Sequence, residues 1–451
     1  MTAIDTTQFS DPPLGHLGII GRIGKLAMPL MVGSLAAAGL QVVKAGILTY
    51  NGEEAALYSL SLVQPAFIFM LAFLEALAIT NQVFSSKSVT NWAKGDVLRA
   101  TRVFSVIGLV LTALLVAGFY GASFAVAGRW PDAAPVLPQM GLFVLSMAPY
   151  LLFELRNGAL RGQGKTAKAL IPFAVLIVAD VVATWVAVAE LGMGFHGVLI
   201  GNAAGPLIAL PLVTLMLRRE IGDAPRGEAG DFKKHMIGLT IGVAGPVFVS
   251  MFAGSASAAV IFPTLATLGS DVASGFLVIV RLRILFIIPA IAVGSAIAIL
   301  INQMPEQGHA SEKRGILSVG VTTVLGIYAL ATFGIYVMRA QVVGLVVPAE
   351  NAALFAATLD LMMVLIVTFF LVAAFTMLQV ILEHLGMGVR VLVVTIATEL
   401  ATIGLVFAVL ARGYGLDGVL QTMNVIAVAT FVLLGAVFVG YVRKMGRSDA
   451  V

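Results

Sequence analysis

Residues 156–206 read RNGALRGQGKTAKALIPFAVLIVADVVATWVAVAELGMGFHGVLIGNAAGP. The stretch opens in a basic, glycine-rich turn, crosses an apolar run of about 20 residues broken only by Asp180, and closes on Gly192-Met193-Gly194. It re-enters a second apolar run through Gly201-Asn202. As a helix, about 20 apolar residues cross a hydrocarbon layer of ~30 Å, so the fragment reads as one membrane span, a tight turn and the start of the next. The same grammar returns about 220 residues later at 382–418, LEHLGMGVRVLVVTIATELATIGLVFAVLARGYGLDG. That echo points to an internal repeat, and the acid inside the first copy poses the functional question.

The rest of the 451-residue chain fits this reading. It is 60% hydrophobic and 11% charged, with mean hydropathy +1.03, whereas soluble domains carry about a quarter charged residues. The net charge of +4 rests on short basic loops rather than one soluble face, which argues against a nucleic-acid partner. There is no cysteine, which removes disulfides and thiolate ligands from consideration. The polar start, MTAIDTTQFSDPPLGHLG, lacks the basic, apolar and cleavage segments of a removable signal peptide.

Twelve spans are expected, at 24–50, 55–84, 101–127, 137–158, 168–190, 195–217, 236–267, 272–302, 315–338, 352–381, 390–411 and 415–441. With the N-terminus inside, 21 of the 27 Lys and Arg residues fall on the inner side and three, Arg129, Arg339 and Arg412, on the outer. This positive-inside asymmetry sets the orientation, with both termini cytoplasmic in a plasma (inner) membrane. The boundaries follow: a cytoplasmic tail at 1–23, a six-helix N-lobe at 24–217, a charged Gly/Pro-containing linker at 218–235, a six-helix C-lobe at 236–441 and a tail at 442–451. The lobes align in sequence, Pro29 with Pro246 and Gly52 with Gly269 at one offset, then Asn81-Gln82 with Asn302-Gln303. An even number of spans per lobe makes the repeat parallel, with a cavity expected between the lobes near the midplane. The fold expected is an all-α polytopic membrane protein of two pseudo-symmetric lobes.

Several segments resemble the multidrug and toxic compound extrusion (MATE) family of the MOP flippase superfamily, closest in pattern to its DinF-like prokaryotic branch. They are AMPLMVGSL opening span 1, AKGDVLRATR after span 2, LRGQGKTAKALIP after span 4 and LGMGFHGVLIGN between spans 5 and 6. NQMPEQGHASEKRG and GYGLDGV repeat them more weakly in the second half. The resemblance covers nearly all of 20–445. It implies a monomeric secondary transporter that exports amphipathic small molecules by alternating access in exchange for a cation or proton. Related flippases of lipid-linked precursors share the repeat plan and stay open as an alternative, as does a scaffold or sensor that has lost coupling.

Charges inside spans carry the chemistry, because each costs at least ~2.5–3.5 kcal/mol at mid-membrane and must be compensated or used. Lys44 lies eight residues before Gly52 and Asp180 ten before Glu190, hence ~12 Å and ~15 Å below the outer surface. Equal depth in one lobe allows them to pair, either as a fixed pin between spans 1 and 5 or as a titratable pair opened by proton or substrate. The resemblance implies an Asp in span 1 and another in span 5. Lys44 falls at the first of these positions, Thr184 at the second, and Asp180 where the family usually carries Asn. A built-in ammonium repels a second cation, so a proton is favoured over sodium as the coupling ion, with Asn202 as a neutral hydrogen-bonding neighbour. No other cofactor or metal is expected.

Gln64, Glu75, Arg281, Asp360 and Glu399 are the expected cavity residues. Glu75, in span 2, suits a proton carrier or a counter-charge to substrate. Glu154 is expected to snorkel or to pair with Arg156. Arg281 and Arg283 are two apart and diverge by ~200° on a helix, so only one faces a cavity; Asp360 lies at a depth that permits pairing with Arg281. RGQGKT lacks the spacing and preceding strand of a phosphate-binding loop, so ATP hydrolysis is not expected within this chain. The five histidines are dispersed, the serines lack a nucleophile elbow, and the chain is read as a transporter rather than an enzyme.

Overall fold

Backbone polar groups have no water partner in hydrocarbon, so a chain this apolar must close its hydrogen bonds within helices. The structure, a computed structural model, describes residues 15–51, 56, 59–60, 62–126, 128, 136–305, 309–347 and 352–445, and contains only helices and turns among them. In order these are α1 (His16–Tyr50), α2 (Gln64–Lys87), α3 (Val97–Val126), α4 (Val136–Gly162), α5 (Thr166–Glu190) and α6 (Gly194–Ile221). There follow α7 (Ala229–Leu239 and Gly245–Ala266, joined through Thr240–Ala244), α8 (Ser270–Gln303), α9 (Ala310–Val337), α10 (Ala352–Leu382), α11 (Gly388–Ala411) and α12 (Gly415–Met445). Among the described residues, eleven stretches are long and apolar enough to span a membrane, and one of them, Ala352–Ala411, is 60 residues long. Gly386, at φ 82°, breaks that stretch between α10 and α11, so it holds two of the twelve expected spans. The chain is a multi-pass membrane protein.

Many hydroxyls within the helices are satisfied locally. Thr80, Thr101, Thr112 and Thr402 each donate to the carbonyl four residues earlier at 2.6–2.9 Å, which lets a polar side chain sit in an apolar bundle without a distant partner. The 218–235 linker is shorter than expected, because α6 runs through Ile221 and α7 begins at Ala229. The residues between are docked: Gly227 N donates to Asp96 Oδ2 at 3.0 Å and Gly95 N to the Pro225 carbonyl at 3.1 Å.

The chain forms two compact units. The first comprises Pro29–Phe262 with Leu382–Ile403; the second comprises the residues up to Met28, Pro263–Ile381 and those from Gly404. The core of the first unit is built on α2, α3 and α4, where Met70, Leu74, Phe84, Phe104, Leu151, Leu155 and Leu160 are excluded from solvent. Asn81 ties the three together, its amide donating to Leu155 O at 2.7 Å and to Thr101 Oγ1 at 3.0 Å. In the second unit Phe286 packs edge-on to Tyr328 and Phe369, and the Tyr328 hydroxyl donates to Phe286 O at 2.8 Å.

The contact that positions the candidate site is α5 against α6. Gly197, Gly201 and Gly205 recur every four residues and form one bare stripe along α6. A Cβ at these positions would lie 2.7 Å from Val188 Cγ2, 1.9 Å from Thr184 Oγ1 and 2.6 Å from Asp180 Cβ respectively. Val188, Thr184 and Asp180 are the matching four-residue ladder on the antiparallel helix, so the stripe lets the two backbones approach. At Gly205 the obstruction includes the Leu176 carbonyl at 2.7 Å, which cannot rotate away. We expect Gly205→Ala to destabilise the first unit by ~1–3 kcal/mol. Gly118→Ala, whose new methyl meets nothing within 4 Å, is the control; thermal unfolding in detergent should separate the two variants by several degrees.

Candidate functional site

On α1, Leu40, Lys44 and Leu48 stand four residues apart and form one buried stripe on a helix whose other face exposes Met28, Val32, Leu35 and Val43. Lys44 is 2% exposed and Asp180 of α5 is 3% exposed, so neither charge has water as a partner. Lys44 Nζ donates to Asp180 Oδ2 at 2.7 Å and also to Asn202 Oδ1 of α6. Thr184, one turn along α5, donates its hydroxyl to Asp180 Oδ1 at 3.2 Å. The Asn202 amide donates to Ser146 Oγ at 3.3 Å, and that hydroxyl donates to Phe143 O at 2.7 Å. Ser146 lies where α4 is interrupted at Met147.

Five polar side chains from four helices therefore form one network in which both carboxylate oxygens are engaged. Its centre is an ammonium between a carboxylate oxygen and an amide oxygen, a donor set that would also suit a small cation. Gly201 makes the network possible, since any side chain there would overlap Thr184 and press on Asp180. All four residues expected at the coupling site, Lys44, Asp180, Thr184 and Asn202, are in contact.

The expected cavity residues do not form one cluster. Glu75 is half-buried on α2 and its carboxyl makes no hydrogen bond among the described residues. Glu399 stands on α11 facing Gly254 of α7, whose Cβ position would be 3.7 Å from Glu399 Oε1. The side chain of Gln64 lies outside the described residues. In the second unit Arg281 shares an exposed stripe of α8 with Leu277, Ile284 and Leu285, and Asp360 is exposed on α10. No ion pair joins the two among the described residues; equal depth is not enough when the side chains leave their helices in different directions. Arg283 lies on the buried stripe with Phe276, Ile279 and Ala290, where its Nη1 donates to Thr368 Oγ1 at 3.4 Å.

A second polar network was not anticipated. Glu154 pairs with Arg161 rather than Arg156. Residues seven apart share a helix face whereas residues two apart diverge, and Arg156 instead donates to Leu152 O at 2.6 Å. Arg161 Nε donates to Gln82 Oε1 at 3.2 Å, and Gln82 Nε2 lies 3.5 Å from His384 Nε2. The seven-residue spacing of Glu154 and Arg161 was the available signal.

No family model matches the chain, and no curated protein matches it in sequence. Solved structures do match in fold. A multidrug-resistance MATE transporter of the MOP superfamily, in an outward-facing conformation, superposes with TM-score 0.81 at 15% identity, covering 94% of this chain and 96% of that one. The Vibrio cholerae MATE transporter VcmN gives TM-score 0.81 at 13% identity over 95% of this chain and 98% of its own. A MOP-superfamily transporter from Pyrococcus furiosus, noted for the reverse polarity of its binding pocket, gives 0.77 at 16% over 94% and 96%. The chain has the MATE fold.

A buried ion pair is costly to break from one side only. Lys44→Met or Asp180→Leu alone should cost about 3–5 kcal/mol by stranding the other charge, while the double variant should recover most of that loss. Thermal unfolding of the four proteins measures the coupling; simple additivity would mean the two charges do not depend on each other.

Proposed function

We propose that the chain is a secondary active exporter that moves amphipathic small molecules across the inner membrane by alternating access, in antiport with protons. The MATE fold supports a multidrug-type transporter. The observation that carries the coupling reading is the occupancy of Asp180 and Asn202 by the Lys44 ammonium. In a site selective for an alkali ion those oxygens would be open; here an internal cation already holds them, so sodium has nothing to ligate. A proton needs no such space. Protonating Asp180 removes the charge that retains Lys44, releases α1 from α5 and α6, and gives the protein two arrangements that differ in proton affinity, as antiport requires. Thr184 and Asn202 hold the carboxylate and the ammonium in register.

A second reading, a flippase for a lipid-linked anionic precursor, is favoured by Arg281 and Arg283, two cations within one span of the second unit with no carboxylate in ion-pair contact among the described residues. The reverse-polarity pocket of the Pyrococcus furiosus relative is consistent with it.

Reconstituted vesicles separate the readings. An imposed pH gradient should drive movement of a fluorescent lipophilic cation by the wild type, and Asp180→Asn should slow it at least about tenfold, equivalent to ~1.4 kcal/mol. A sodium gradient alone should have no effect. Sodium-driven movement that survives in Asp180→Asn would overturn the coupling assignment, and movement of an anionic lipid analogue without response to either gradient would favour the flippase.

A further inference from the structure

Lys44 and Asp180 balance one charge against one. The second network of the first unit does not: Arg161 is ion-paired with Glu154 on α4 and is also the cation whose field reaches Glu75 on α2. We propose that Glu75 and Glu154 form a carboxylate pair that binds one proton between them, a proton site distinct from the Lys44–Asp180 pair. Its use in transport rests on the proton-coupled reading above, whereas the binding itself does not.

The geometry of α2 and α4 brings the acids together. The two helices run parallel in a fixed register, since Asn81 Nδ2 donates to Leu155 O and Ser85 Oγ donates to Ala159 O, both across 74 residues. Carried back to Glu75, that register sets it opposite Pro149, beside Tyr150 and little more than a turn from Glu154. Side-chain direction agrees. Glu75, Ala78 and Gln82 recur at three and seven residues on α2, and Glu154, Gly158 and Arg161 at four and seven on α4. Each set lies on one face. The faces meet where a Cβ on Gly158 would lie 3.2 Å from Ala78 O and 3.6 Å from Arg161 Nη2. The backbones are therefore in near contact between the acid level and the Gln82–Arg161 level.

The charges do not cancel. Glu154 is 4% exposed and accepts a hydrogen bond from Arg161 Nη2, while Arg161 Nε is committed to Gln82. Glu75 has no hydrogen bond of its own among the described residues, yet it sits in the field of both Glu154 and Arg161. Two carboxylates in one low-dielectric site cannot both ionise against one cation without strong mutual repulsion, and sharing a proton relieves it. The proton comes from water, adds to one carboxylate oxygen as O–H, and leaves the pair at net charge −1 against the +1 of Arg161. The other groups acting on the site are the Tyr150 phenol, which also feels Asp180, and His384, reached through Gln82. Tyr150 thus lies in the field of both acidic sites of the unit.

Infrared difference spectroscopy of the purified protein in lipid, on a pH jump from neutral to alkaline, tests this directly. The wild type should show the carbonyl stretch of one buried protonated carboxyl that disappears at alkaline pH. Glu75→Gln and Glu154→Gln should each abolish it, because the remaining acid pairs with Arg161 and ionises; Asp180→Asn should leave it in place. Circular dichroism confirms that each variant is folded. Absence of the band in the wild type, its survival in both glutamine variants, or its loss in Asp180→Asn would overturn the proposal. A wild-type band without pH-driven transport would leave this site standing and sink the antiport reading; pH-driven transport without the band would do the reverse.

Discussion

The first unit depends on a constraint that hydrocarbon imposes: a lysine and an aspartate below the membrane surface must meet each other. Neither Lys44 nor Asp180 has solvent within reach, and leaving either alone would cost several kcal/mol. The pair therefore dictates where the first-unit part of α1, from Pro29 on, sits. From Pro29 onward much of α1 is exposed, and its contact stripe there is short, with Lys44 flanked by Leu40 and Leu48. A helix so lightly packed takes its position from its strongest contact, here the ammonium between Asp180 and Asn202. The demand passes on to the partners. Asp180 can receive Lys44 only if α6 lies close enough to bring Asn202, and α6 lies that close only because Gly197, Gly201 and Gly205 present no side chains to α5. One ion pair thus explains a glycine stripe, a threonine placed a turn after the acid, and an asparagine beside a glycine.

α2 and α4 solve a different problem. Their contact is polar along much of its length: Asn81 reaches Leu155 O, Ser85 reaches Ala159 O, Gln163 donates to Ser85 O at 2.7 Å, and Arg161 bridges Glu154 and Gln82. Side chain-to-backbone bonds of this kind fix a helix pair against sliding, since a shift of one turn would break all of them together. α1 meets α5 through a single buried ion pair, and α5 meets α6 across a bare glycine stripe, so few side chain-to-backbone bonds cross these contacts. The α2–α4 pair and the lightly held part of α1 from Pro29 on lie in the same unit.

Most of the fold was legible because membrane spans announce themselves by length and hydropathy, without any need for periodicity. The break between α10 and α11 was readable from Gly386, although hydropathy alone runs straight through it. The Lys44–Asp180 contact was legible from depth, because two charges at one level within a lobe have few other partners. Depth failed for Asp360 and Arg281, since it fixes height but not the direction in which a side chain leaves its helix. The Glu154–Arg161 pair was hidden for another reason. Arg161 lies in a basic stretch that reads as an inner loop, yet α4 extends through Gly162 and carries it into the bundle. Gln82 and His384, 302 residues apart, carried no sequence signal at all.

On the proposed reading, a lysine rather than an acid at position 44 sets which driving ion the site answers to. A pair of carboxylates attracts any small cation, and the protein must then discriminate among them by cavity size and ligand number. A lysine–aspartate pair excludes metal cations by supplying the positive charge itself, and what can still compete with the ammonium for Asp180 is a proton, which binds the same oxygen without needing room. On the proposed reading, selectivity for protons over sodium is therefore a consequence of covalently attaching the competing cation. On the same reading, release of the ammonium from Asp180 removes the one buried ion pair between α1 and α5.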